Sequence, residues 1–206
     1  MKKIVIGAGS ALLGAAATGA AIVHAGWLDV SANTPHTGVV YGLIEWARER
    51  AIARQVRDIV PPADLADAER IRRGAGNYEA MCVACHLAPA VRQSELRDGL
   101  YPQPPDLVQP SPGASDARRF WIIKHGLKAS GMPAWQKGGM EDAAIWDLTA
   151  FLKALPTLSP AQYRQLVAAS DGHSHHGVAP EAPAKQAGTP AASPKRQAHD
   201  HANHKH

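Results

Sequence analysis

The chain has 206 residues, 22 Lys and Arg against 18 Asp and Glu, and a formal net charge of +4. That length fits one domain with appendages rather than several domains. The cations are spread along the chain instead of being gathered into a stripe, which argues against nucleic acid as a partner.

Lys2 and Lys3 precede an uncharged run from Ile4 to Val23, twenty residues rich in Ala and Gly. The run reaches the length of a membrane span, about 20 residues, and exceeds the roughly 7 to 15 of a signal-peptide core. Residues 1–25 are therefore expected to form a hydrophobic helix retained as a membrane anchor. The competing reading is cleavage, because only seven of the twenty are Ile, Val or Leu and Val23-His24-Ala25 resembles a small-residue cleavage site. Both readings leave Lys2 and Lys3 inside and send the chain after Trp27 to the periplasmic side of a bacterial inner membrane.

Residues 26–64 read as a linker. Within it Val40, Leu43, Ile44, Ala47 and Ala51 recur at helical spacing among Glu45, Arg48, Glu49, Arg50, Arg54, Arg57 and Asp58. The pattern predicts an amphipathic helix from Val40 to Ile59, ended by Pro61-Pro62. Such a helix packs on the following domain, or lies on a membrane surface or a partner.

Between residues 65 and 168 no period-two run of β-branched and aromatic residues is long enough for a strand, so the core is expected to be all-α. Ile145, Leu148, Phe151, Leu152 and Leu155 give the buried face of a late helix. A helical core of about 100 residues often needs a staple or cofactor to complete it. Residues 169–206 turn to Ala, Pro, Gly, Lys and His, too little apolar surface to offset ordering entropy, and are expected to be a disordered tail. Seven of the eleven histidines fall there: His173, His175, His176, His199, His201, His204 and His206. Clustered imidazoles bind copper or zinc, although no frame here fixes a geometry; otherwise the tail is a solubilising, pH-responsive segment.

The two cysteines stand in Cys82-Val83-Ala84-Cys85-His86. A C-x-x-C-H run is the signal for covalent haem attachment. Two thiols three positions apart on one helical turn can add to the two vinyl groups along one porphyrin edge, while the adjacent imidazole turns under the ring as proximal iron ligand. A dithiol redox pair, a disulfide or half a zinc site uses the same cysteine spacing, but none of them requires His86. The second axial ligand needs a soft or nitrogen donor from the opposite side. Met132 lies in a Gly131-Met132-Pro133 loop, where glycine supplies freedom and proline restricts the preceding backbone. His125 is the rival, whereas Met81 is badly placed beside Cys82 and Met140 reads as structural. Trp121 and Trp135 are expected to bury aromatic area against the macrocycle, with indole N–H groups available to a propionate. Lys124, Lys128 and Lys137 either steer an acidic redox partner or form a solvated rim.

Over residues 65–168 the chain resembles the class I c-type cytochromes. The resemblance rests on the attachment run, on Gly74, Tyr78 and Cys82 spaced by four, on Pro104-Pro105-Asp106-Leu107, on Gly131-Met132-Pro133 and on the late helix from Ile145 to Leu155. It implies a small all-α cytochrome c-like domain around one covalent haem c, with Gly74, Tyr78 and Phe151 at a close crossing of the first and last helices. It favours Met132 over His125, and it places the Pro105 carbonyl against the free ring nitrogen of His86, although Pro104 stands where the family usually has glycine. The implied activity is one-electron transfer between a dehydrogenase or respiratory complex and an oxidase, without enzymatic turnover of its own. Two further readings are a copper-handling protein working through the tail and a haem sensor of gas or peroxide that opens by losing Met132.

Overall fold

The computed structural model describes residues 2–111 and 113–177, and among them every regular element is helical. Helix α1 (Lys2–His24) follows from the unbroken Ala-rich run, and the turn after it uses Gly26 at φ +69°. No helix among the described residues is long and apolar enough to cross a membrane. The expectation of a retained anchor over residues 1–25 therefore draws no support from the described residues.

Helix α2 (Gly38–Gln55) stops before the two prolines and passes through Val56 into turns. Its apolar residues are not the buried stripe that their spacing predicts, since Val40, Leu43 and Ile44 are exposed and Ile52 alone is buried. What seats α2 is that isoleucine together with Glu49, which accepts from Arg118 of the sixth helix at 2.8 Å.

Helix α3 (Ala68–Met81) is capped by Asp67, whose carboxylate accepts from the Glu69 and Arg70 amides at 2.9 and 3.1 Å. It leads into the single turn α4 (Val83–His86); α5 (Glu95–Asp98) and α6 (Asp116–His125) follow, with Ser94 and Ser115 as their caps. Helix α7 (Asp142–Ala154) is the predicted late helix, its last residues continuing as a 3-10 turn from Leu155. Ala75 and Tyr78 of α3 meet Ile145, Leu148 and Phe151 of α7 in the buried core, and the Tyr78 and Phe151 rings lie 5.2 Å apart. The crossing is close because Gly74 has no side chain, and a Cβ there would stand 2.2 Å from the Asp147 carbonyl oxygen. The buried Asp147 carboxylate ties the two helices, accepting from Arg70 at 2.8 Å and from Arg73 at 2.6 Å. Helix α8 (Pro160–Ala169) opens with a reciprocal capping box between Ser159 and Gln162 and buries Tyr163 against the Tyr78 and Phe151 rings.

The chain stays packed past the expected start of the tail, as far as Gly177. Asp171 pairs with Arg72 at 3.0 Å, the Ser174 amide donates to the buried Asn77 side chain at 2.8 Å, and the His175 carbonyl accepts from the Glu141 amide at 2.9 Å. Residues 178–206, with His199, His201, His204 and His206, lie outside the described residues. The segment from Asp171 to Gly177 gives a prediction. Ending the chain at Ser170 strips Asn77 of its partner, and an unsatisfied buried polar group costs about 1–3 kcal/mol. Thermal melts should show a midpoint at least about 4 °C lower for that truncation than for one ending at Gly177.

Candidate functional site

Cys82 ends α3, and α4 carries the run one turn further, with the Cys85 and His86 amides donating to the Cys82 carbonyl at 3.1 and 2.8 Å. Residues three apart on such a turn share a side, so both sulfurs lie along one edge. The chain then reverses at Leu87, whose φ of 65° is one that non-glycine residues rarely adopt. Tyr78 holds this reversal: its buried hydroxyl donates to the Leu87 carbonyl at 2.6 Å. Burial also pushes the Tyr78 hydroxyl well above the ordinary tyrosine range, so it remains a donor.

His86 is fixed from the other side. Its Nδ1 donates to the Pro105 carbonyl at 2.8 Å, and the Leu107 amide donates to the His86 carbonyl at 3.2 Å. Arg97 braces the same loop by donating to the Pro104 carbonyl at 3.1 Å. With Nδ1 committed as donor, the neutral imidazole keeps its lone pair on Nε2. Burial, above all, holds the His86 pKa below the ordinary histidine value, with nearby Arg97 acting in the same sense and the Pro105 bond opposing it. Burial likewise pushes the Cys82 thiol up to about 12, a charge on Cys85 adding to it. Both cysteines are free of disulfides.

A cavity of about 1290 Å³ opens against this turn. Small-ligand pockets usually hold about 300–1,000 Å³, so the space is large enough for a group of cofactor size. Its lining gathers all the residues singled out from the sequence: Cys82, Cys85, His86, Pro105, Met132, Trp121 and Trp135. His125 lines it as well, exposed and 5.1 Å from the Trp121 ring, while Met132 is half-buried and packs on the core. Met140 belongs to the core alone. The Met132 loop is shaped differently from expectation. Positive φ falls on Gly126 and Ala129, and a Cβ on Gly126 would stand 2.7 Å from the Pro133 carbonyl carbon. Gly131 instead makes room for Leu100, whose Cδ2 would lie 2.9 Å from an added Cβ. Lys124 is paired with Asp142 at 2.7 Å, which leaves Lys128 and Lys137 as the loop's exposed cations.

Sequence reasoning missed one wall of the cavity. Tyr41, Ile44, Arg48, Ile52 and Gln55 of α2 line it, so the face turned to the cavity shares only Ile44 and Ala51 with the stripe read from the sequence and is rotated away from Val40, Leu43 and Ala47. Their own spacing of three and four was the available signal. Two metal-binding expectations separate here. The thiol, imidazole and thioether set around the cavity fits haem c chemically, with the His86 tautomer already fixed. For copper or zinc, no group of three or more His, Cys, Asp or Glu among the described residues is placed to hold an ion. His173 and His175 stack edge to face at 4.7 Å, and His176 turns instead to Glu141 at 2.8 Å.

An all-helical core with a C-x-x-C-H turn at the end of its first core helix, opening on such a cavity, defines a c-type cytochrome domain. Residues 69–152, from α3 through most of α7, match the family described as cytochrome C oxidase, cbb3-type, subunit III. The match spans under half of the chain and makes this stretch a c-type cytochrome domain, which implies covalent haem c and haem-based electron transfer. Neither a curated protein nor a solved structure matches the chain.

Proposed function

We propose that the protein is a one-electron carrier on the periplasmic side of a bacterial membrane, working between a dehydrogenase or respiratory complex and an oxidase. The observation that carries this reading is His86 held by Pro105 at the end of the cysteine turn, facing a cavity that Met132 also lines. Cys82 and Cys85 would hold the group through two thioether bonds, and His86 Nε2 and Met132 would bind its iron. Haem c, when bound, supplies a single-electron couple. With both His86 and Met132 on the iron no coordination position would stay open, and electron transfer rather than turnover of a substrate would follow. The Pro105 carbonyl keeps His86 in one tautomer, and Trp121 and Trp135 exclude water from the group's flanks. The uncharged run from Ile4 to Val23 behind Lys2 and Lys3 directs export.

The test is the spectrum of protein made in a host with haem-attachment machinery. Wild type should carry covalent haem, show the weak methionine-to-iron band when oxidised, and bind carbon monoxide slowly when reduced. Met132→Ala should keep the haem, lose that band and bind carbon monoxide at least about 100-fold faster, since the distal position is then open. An unchanged band in Met132→Ala moves the ligand to another residue, with His125→Ala the next variant. Absence of covalent haem from the wild type overturns the reading altogether.

A further inference from the structure

The outer face of α2 takes no part in the cavity. At roughly 3.6 residues per turn, the side opposite Tyr41, Ile44, Arg48, Ile52 and Gln55 carries Val39, Leu43, Trp46, Arg50 and Arg54. Three large apolar side chains come first and stand in water, Val39 84%, Leu43 63% and Trp46 59% exposed. The cations follow. Glu45 and Glu49, the only acids of the helix, are engaged by Arg48 and Arg118. Arg50, Arg54 and Arg57 pair with no carboxylate among the described residues, and the Arg50 guanidinium lies over the Trp46 ring at 5.7 Å. Trp27, Leu28 and Val30, just upstream, are exposed as well.

The apolar half of this face is disfavoured in water, and its cations have no carboxylate partner among the described residues. An anionic bilayer surface suits both, taking apolar side chains into the acyl boundary while phosphates meet the guanidiniums, with tryptophan at its preferred depth between them. We propose that the outer face of α2 seats this protein on a membrane surface of anionic phospholipid. Val39, Leu43 and Trp46 enter the acyl boundary, and Arg50 and Arg54, joined by Arg57 from the turn just past the helix, lie among the phosphates. The cavity, on the opposite side of the same helix, is then held about one helix diameter, roughly 10 Å, above the lipid. A protein partner would have to match the apolar residues and also bring acids to three arginines; the bilayer surface offers both without further shape.

Co-sedimentation of the full-length protein with vesicles tests the assignment, comparing phosphatidylcholine alone with phosphatidylcholine containing phosphatidylglycerol. Binding should be tighter to the anionic vesicles and should weaken as salt is raised. Each arginine near an anionic surface contributes about fivefold, so Arg50→Gln with Arg54→Gln should weaken anionic binding about 25-fold. Trp46→Ser should weaken it too. These side chains are exposed, and an unchanged far-ultraviolet circular dichroism spectrum checks that the variants fold. Any attachment through Lys2, Lys3 and Ile4–Val23 is indifferent to the arginine variant, so the anionic binding lost in that variant isolates α2. Equal binding to both vesicle types, or a double variant that binds like wild type, overturns the proposal and leaves the face to a protein.

Discussion

Gly74→Ala is expected to lower the unfolding midpoint by at least about 12 °C, or to leave no folded protein. The added Cβ would lie 2.2 Å from the Asp147 carbonyl oxygen and 2.7 Å from the Phe151 Cβ. Both obstacles are backbone or the first atom of a side chain, so no rotamer change relieves them. Helix α3 would have to move off α7, opening the contact between Tyr78 and Phe151 at the centre of the core. Overpacking of this kind costs about 3 kcal/mol or more, from a total of about 5–15 for a whole domain. At roughly 4–8 °C per kcal/mol for a domain of this size, thermal melting reads the effect directly. Gly138→Ala is the control, because nothing lies within 4 Å of its would-be Cβ. A Gly74→Ala midpoint within a few degrees of that control would show that the helices can part cheaply.

Asp147→Ala should be nearly as damaging, for a different reason. The carboxylate is 2% exposed and accepts three guanidinium bonds, one from Arg70 and two from Arg73. Breaking a buried ion pair from one side costs about 3–5 kcal/mol, because the remaining charge has been desolvated for nothing. Here the arginines stay 20% exposed and Arg70 keeps Asp64 at 3.0 Å, so the lower end, about 3 kcal/mol, is expected in urea unfolding. Changing all three together to apolar residues, Asp147→Leu with Arg70→Met and Arg73→Leu, should recover most of that loss, since replacing a whole buried network is far less costly than halving it. If the single variant unfolds within about 1 kcal/mol of wild type, the network counts only as a surface pair.

How much of this could be read from the sequence follows from what kind of interaction holds each part. The α7 face was legible because its contacts repeat every three or four residues, and Gly74, Tyr78 and Phe151 do meet where the resemblance implied. The expected site residues lie around one cavity because the cysteine run and the Met132 loop are local motifs. Helix α2 misled because it bears large side chains on two faces, and spacing alone does not say which face meets protein. Gly131 was read as the loop's free hinge, and the positive φ falls on Gly126 instead, because composition does not reveal which glycine takes a positive φ and which merely makes room. The stretch from Asp171 to Gly177 was taken for tail because its order rests on single hydrogen bonds to Asn77 and Glu141, far away in sequence and without period.

Helix α2 lies outside residues 69–152, yet it supplies a wall of the cavity. The module that the family shares and the vessel that encloses the cofactor therefore have different boundaries. A transplant of residues 69–152 would carry the cysteine turn and the methionine loop with one flank left open. In this chain the enclosure of the cavity is thus completed by a helix that the family match does not include.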